Sequence, residues 1–181
     1  KFDVVVKLNK MIEKTKFNFD FINYKNDILY NCVDINIQNG DYPYNIDNWV
    51  TNKVKHVRIP YPAVTGYYAN NLRKFENLNN NKIEYSVVDK YFYQTLQNNL
   101  GTIPNTGTIA IFDLFFQKPK ILSIVGITFN KTGYCSSYKE QVWYDKKVKS
   151  RNHDHDKQLM FFKKFYNKNS DVIVIDDVLK N

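Results

Sequence analysis

The chain is 181 residues long, 43% apolar and 16% aromatic, and its 26 Lys and Arg against 18 Asp and Glu give a formal net charge of +8. That length and apolar content exclude intrinsic disorder and suit one domain with a sizeable core, while no run nears the roughly 20 apolar residues of a membrane-spanning helix. The basic balance favours anionic partners, although net charge bears on solubility before it bears on function.

Lys1 to Asn9 is rich in β-branched residues and reads as a strand ending on a polar side chain. Cys32 and Cys135 are too few for a disulfide framework and lack zinc-site spacing, so two free thiols are expected. From Ile35 to Val54 the sequence is polar, with turns at Asn39-Gly40 and Tyr42-Pro43. Val54 to Ile59 alternates as a strand and stops at Pro60. Tyr68, Leu72, Phe75 and Leu78 have helical spacing, and such a stripe is expected in the core. His56, with no second ligand type nearby, reads as structural. Ile83 to Val88 is a further strand, after which Asp89 caps a helix with Tyr91, Phe92, Leu96 and Leu100 inward and Gly101 at its end.

The most informative stretch follows. Pro104-Asn105-Thr106-Gly107 precedes an apolar run to Phe116, so Asn105 or Thr106 is expected to cap a buried helix whose start is a natural anion site. Ile121 to Val125, ending in Gly126, reads as a strand buried on both faces, and in open α/β sheets ligands sit just beyond such strand ends. Thr128 to Lys149 is polar with aromatics and reads as a loop over that site; the sequon at Asn130 carries little weight alone. His153-Asp154-His155-Asp156-Lys157-Gln158 leads into a helix with Leu159, Phe162 and Phe165 inward, and Val172 to Ile175 is expected to close the sheet. The alternation of strand and helix predicts an α/β fold of three layers, α/β/α and Rossmann-like, with a mostly parallel sheet in a single domain over residues 1–181.

The segment from His153 to Asp156 admits a surface helix cap, a weak metal site or a catalytic imidazole. Closed metal sites draw ligands from separated segments, and none completes this one.

Several motifs, in order, resemble those of the animal-type sialyltransferases, glycosyltransferase family 29. Pro104-Asn105-Thr106-Gly107, helix, strand and Val125-Gly126-Ile127 is similar to the family's small motif, Pro-Ser-Thr-Gly to Tyr-Gly-Phe. Trp143-Tyr144-Asp145 resembles the end of its third motif, and His153 through Gln158 its very small motif, His and four residues before Glu. Asp3 to Asn9 resembles the end of the large motif, Asp-x-Val-x-Arg-x-Asn, with Lys7 in place of the arginine.

The resemblance implies a GT-A-like sialyltransferase fold and an inverting, metal-independent transfer from CMP-sialic acid or a related CMP-sugar to a glycan hydroxyl. His153 would be the general base, and Asn9, Asn105, Thr106, Gly107, Gly126 and Tyr144 would hold the donor, with no cofactor. Imidazole titrates near working pH, and the positive end of a helix disfavours its protonated form. The family also implies a Golgi-lumen setting, and a preceding strand and donor-binding turn that this chain is expected to lack. Val142 stands where the third motif has histidine, Gln158 where the very small motif has Glu, and Asn105 where the small motif has serine. The family's disulfide has no counterpart, since Gln117-Lys118-Pro119-Lys120 follows Phe116. The competing expectation is a non-catalytic basic module that binds anionic glycan or nucleic acid through Lys, Arg and stacked aromatics, or a degenerate relative of the enzymes. Nucleic acid is the less expected partner, because the basic residues are dispersed.

Overall fold

The computed structural model describes residues 3–9, 25–34, 44–62, 65–129 and 153–180. Trp143, Tyr144, Asp145, Val142, Cys135 and the sequon lie outside them. The chain divides into two compact units, Lys1–Tyr93 and Gln94–Asn181, and the boundary falls inside a helix.

In the first unit, β1 (Val6–Leu8), β2 (Ile28–Tyr30), β3 (His56–Ile59) and β4 (Glu84–Val87) form one parallel sheet in sequential order. The register sets Lys7, Leu29, Val57 and Tyr85 side by side on one face, with His56 and Glu84 neighbours on the other. Parallel strands in unbroken order need crossovers of one hand, which deliver successive helices to the same face. The two that follow, α1 (Ile46–Thr51) and α2 (Gly66–Asn79), do share one core with that face. Ile46 and Trp49 of α1 and Phe75 of α2 pack with Leu29, Val57 and Ile59. Lys7 also lies on this face, 2% exposed, and burial lowers its pKa.

The opposite face is apolar along β1 and β2, with Val6, Leu8, Ile28 and Tyr30, and polar along β3 and β4. His56 Nε2 and Arg58 Nη1 converge on Ser86 Oγ at 2.7 and 2.9 Å. Burial, and then the Arg58 charge, push the His56 pKa down. At the entry to the sheet, Asp27 accepts the Val5 N–H at 2.9 Å and the Lys55 ammonium at 2.7 Å, with Lys25 at 3.3 Å. Burial alone would raise this carboxyl, but the bonds from Lys55, Val5 and Lys25 outweigh it and hold the pKa below its ordinary 3.8. The folded value is thus depressed, so the stabilisation is present in full above the ordinary carboxylate pKa and is lost as pH falls through the folded one. Asp27→Asn is expected to cost about 2 kcal/mol at pH 7. In denaturant titrations its deficit relative to the parent should shrink as pH falls below 3.8.

The elements expected from sequence form, with differences of face. α2 buries Phe75, yet Leu78 is 44% exposed, and Asn71 and Asn79 take the inner positions four residues either side of Phe75. Asn79 fits there because its amide both donates to and accepts from Ile83 of the next turn, at 2.8 and 3.1 Å. α3 (Lys90–Leu100), capped by Asp89, buries Tyr93, Leu96 and Leu100 while Tyr91 is 77% exposed, so the inward stripe starts two residues later than expected. Gly101 ends it at φ 63, in the left-handed region that glycine adopts without strain.

In the second unit, α4 (Thr106–Phe116) leads to β5 (Leu122–Ile124), and α5 (His155–Lys168) to β6 (Ile173–Ile175) and the short α6 (Asp177–Lys180). β5 and β6 pair in parallel. Ile124, Ile173 and Ile175 are buried, whereas Ile121, Val125 and Val174 are each 52% exposed. The expectation that the Ile121–Val125 run is buried on both faces is therefore corrected: side chains alternate across a strand, and this pair covers one face alone. The last strand pairs with β5 and with no other described strand.

The molecule is thus a mixed α/β protein whose main sheet is parallel, and no helix among the described residues is long and apolar enough to cross a membrane.

Candidate functional site

The second unit brings the stretch before α4 and the stretch before α5 together. Phe112 meets Phe161 and Phe165 at ring-centre distances of 5.4 and 4.7 Å, and Phe115 meets Phe165 at 4.7 Å. Nearer the helix starts, Gln158 reaches Asn105 and Thr108. Contacts that advance together along both helices mean that α4 and α5 lie side by side and parallel, with their N-termini at one end. Residues 117–121 and 169–172 connect each helix to the strand that follows it, and the strand exits carry Gly126 and Asp176.

Asn105 caps α4: its Oδ1 accepts the Thr108 N–H at 2.8 Å. That leaves the first-turn amides of Thr106 and Gly107 at the positive end of the helix, the arrangement that binds anions. Asn105→Ala is expected to lower stability by about 1 kcal/mol through the lost cap, measurable as a lower denaturation midpoint at unchanged slope.

His153 stands at this mouth. Its Nδ1 lies 2.9 Å from the carbonyl of Ile103, two residues before the cap. A carbonyl only accepts, so Nδ1 carries the hydrogen, and in the neutral ring Nε2 holds the lone pair. The next residue fastens the same segment, since Asp154 N–H donates to Thr102 Oγ1 at 3.1 Å. The Asp154 carboxylate caps α5 by accepting the Lys157 N–H at 2.9 Å, a bond that holds its pKa below the usual carboxylate range. Gln158 Oε1 takes the Asn105 N–H at 3.0 Å and the Thr108 hydroxyl at 2.6 Å, in a position with no exposure to solvent.

Gly126 closes β5 at φ 73 and donates its N–H to Asp176 at 2.7 Å. Nothing lies within 4 Å of where a Cβ would stand, so glycine is required here by the backbone angle rather than by crowding. Among the described residues no group of three His, Cys, Asp or Glu is placed to hold a metal ion.

Of the residues singled out from sequence, His153, Asn105, Thr106 and Gly107 are thus gathered at one helix mouth, and Gly126 lies at a strand exit of the same unit. Asn9 belongs to the first unit, where at φ 46 it ends β1 and accepts the Cys32 N–H at 3.3 Å, tying the exits of β1 and β2. Cys32 is in no disulfide.

Those exits hold a group that sequence reasoning missed. Val33, at φ 42, occupies a backbone region costly for a β-branched residue; the Asn31 Oδ1 accepts its N–H at 2.8 Å and the Tyr44 hydroxyl donates to its carbonyl. Beyond it the Tyr67 hydroxyl donates to Asp34, and burial together with that bond pushes the phenol up to about 12. Tyr68 stacks on Tyr61 at 5.2 Å. Applied to β2 and β3, the rule that ligands gather beyond the C-terminal ends of parallel strands would have pointed to Asp34 and Tyr61.

Comparison with known proteins supplies no relative: no family model matches the chain, and neither a curated protein nor a solved structure matches it.

Proposed function

We propose that the chain is a Rossmann-like, three-layer sialyltransferase-type domain that transfers sialic acid or a related sugar from a CMP-sugar to a glycan hydroxyl, inverting the anomeric centre without a metal. The observation that carries this reading is the bond from His153 Nδ1 to the Ile103 carbonyl, which aims an imidazole with its lone pair on Nε2 from the mouth of a capped helix. In the transfer the acceptor oxygen forms the new bond to the anomeric carbon and its proton passes to His153 Nε2. The bond from that carbon to the phosphate oxygen breaks, and CMP leaves with the electron pair. CMP is already a good leaving group, so orientation and proton removal are what the protein must supply.

The donor's negative charge would rest on the Thr106 and Gly107 amides beside Asn105, with Gly126 at the neighbouring strand exit. The motif resemblance would make Asn9 and Tyr144 donor contacts as well; Asn9 belongs to the first unit and Tyr144 lies outside the described residues.

Thermal stabilisation by CMP, compared with UMP and AMP, tests the reading. A shift specific to CMP is the expected result. Absence of any shift, with salt-sensitive retention on DNA or on an anionic glycan, would replace the enzyme by a basic binding module, which the +8 charge would then explain.

A further inference from the structure

We infer that Gln158 is the positioning residue of this site: its neutral side-chain amide holds the Ile103 carbonyl, and through it the imidazole of His153. The inference rests on the reading of His153 as the base.

Gln158 has no solvent exposure and uses both ends of its amide on one short stretch of chain. Oε1 accepts the Asn105 N–H at 3.0 Å and the Thr108 hydroxyl at 2.6 Å, and Nε2 points at the Ile103 carbonyl at 3.4 Å. That same carbonyl accepts the Nδ1 hydrogen of His153 at 2.9 Å. A carbonyl oxygen has two lone pairs, so both donors can share it. The amide therefore grips the turn on either side of Pro104, at the Ile103 oxygen and at the Asn105 nitrogen. The peptide plane that aims His153 cannot rotate without breaking one of these contacts.

An ionised carboxylate at this position would keep the two bonds that Oε1 accepts. Its other oxygen, however, would face the Ile103 oxygen, acceptor against acceptor, in a place water does not reach. An apolar side chain of similar size would remove the acceptor of the Asn105 N–H and the Thr108 hydroxyl, and would leave the Ile103 carbonyl held by His153 alone among these donors. In either case the fault is passed to the imidazole, whose ring is aimed by the Ile103 carbonyl.

The test uses Gln158→Leu, Gln158→Glu and Thr108→Val in the full chain, with CMP-sialic acid as donor. The first readout is the tautomer of His153, from the nitrogen chemical shifts of protein labelled at histidine. The parent should hold its hydrogen on Nδ1, and Gln158→Leu should show a mixture. The second readout is turnover: Gln158→Leu should lower kcat by about 10- to 100-fold, the penalty of a misplaced catalytic group. Gln158→Glu should fall between it and the parent. Combined with His153→Ala, Gln158→Leu should cause no further loss, because a residue that acts through the ring has nothing left to act on once the ring is gone. If Gln158→Leu does not fold, Thr108→Val removes one of the same bonds and should shift the tautomer in the same direction. An unchanged tautomer, or losses that multiply in the double variant, would overturn the inference. A parent that neither binds CMP nor transfers sugar would sink the enzyme reading instead, and the tautomer measurement would still decide whether Gln158 holds the ring.

Discussion

His153→Ala is expected to lower kcat for sugar transfer by about 100- to 10,000-fold, the range over which a positioned general base contributes. The substitution removes the imidazole and with it one bond to a backbone carbonyl, so the cost in stability should be about 1 kcal/mol. Stabilisation by CMP should survive, because the helix mouth proposed to hold its phosphate is built from Asn105, Thr106 and Gly107, and the Asn105 cap does not use the ring. Loss of turnover with retained nucleotide binding is the signature of a missing proton acceptor. Initial rates measured on a folded variant check it, and a rate equal to the parent's would assign proton removal to another group.

Trp49→Ala is expected to destabilise the chain by about 3–5 kcal/mol, the range for truncating a large buried aromatic. Trp49 is 2% exposed and packs against both Tyr44 and Phe75, at ring-centre distances of 6.1 and 6.4 Å. It is the main anchor of a six-residue helix too short to stand on its own hydrogen bonds, so the cavity left behind should also loosen α1. The measurement is the shift in denaturant midpoint. A loss below about 1 kcal/mol would mean that neighbouring rings close the space, which the T-shaped Tyr44–Phe75 contact argues against.

That helix was hidden in the sequence for a physical reason. The run from Ile35 to Val54 is rich in Asn and broken by Gly40 and Pro43, and six residues are too few for a helical period to stand out. Two signals were present all the same: Asn45 as a cap, accepting the Asn48 N–H at 2.8 Å, and Ile46 with Trp49 at a spacing of three. Strands β1, β3 and β4 of the main sheet were legible because β-branched runs bounded by turns have few other outcomes, whereas β2, Ile-Leu-Tyr, offers no such run. Which face of α3 turns inward was not, since Tyr91, Phe92 and Tyr93 are consecutive aromatics and more than one of them fits a helical stripe with Leu96 and Leu100. Similarly, the apolar run at β5 looks the same whether a strand is covered on one face or on both.

At the site, order and spacing of motifs singled out His153, Asn105 and Gly107. The Ile103 carbonyl, on which the imidazole depends, carries no side-chain signature and could not be read. The tyrosines at the β2 and β3 exits were silent for another reason: their importance depends on which strands become neighbours, which the sheet decides.

The described bonds that station His153 are made within residues 102–108 and 153–158. For protein engineers these two stretches form one unit, to be transplanted together if the imidazole is to keep its address.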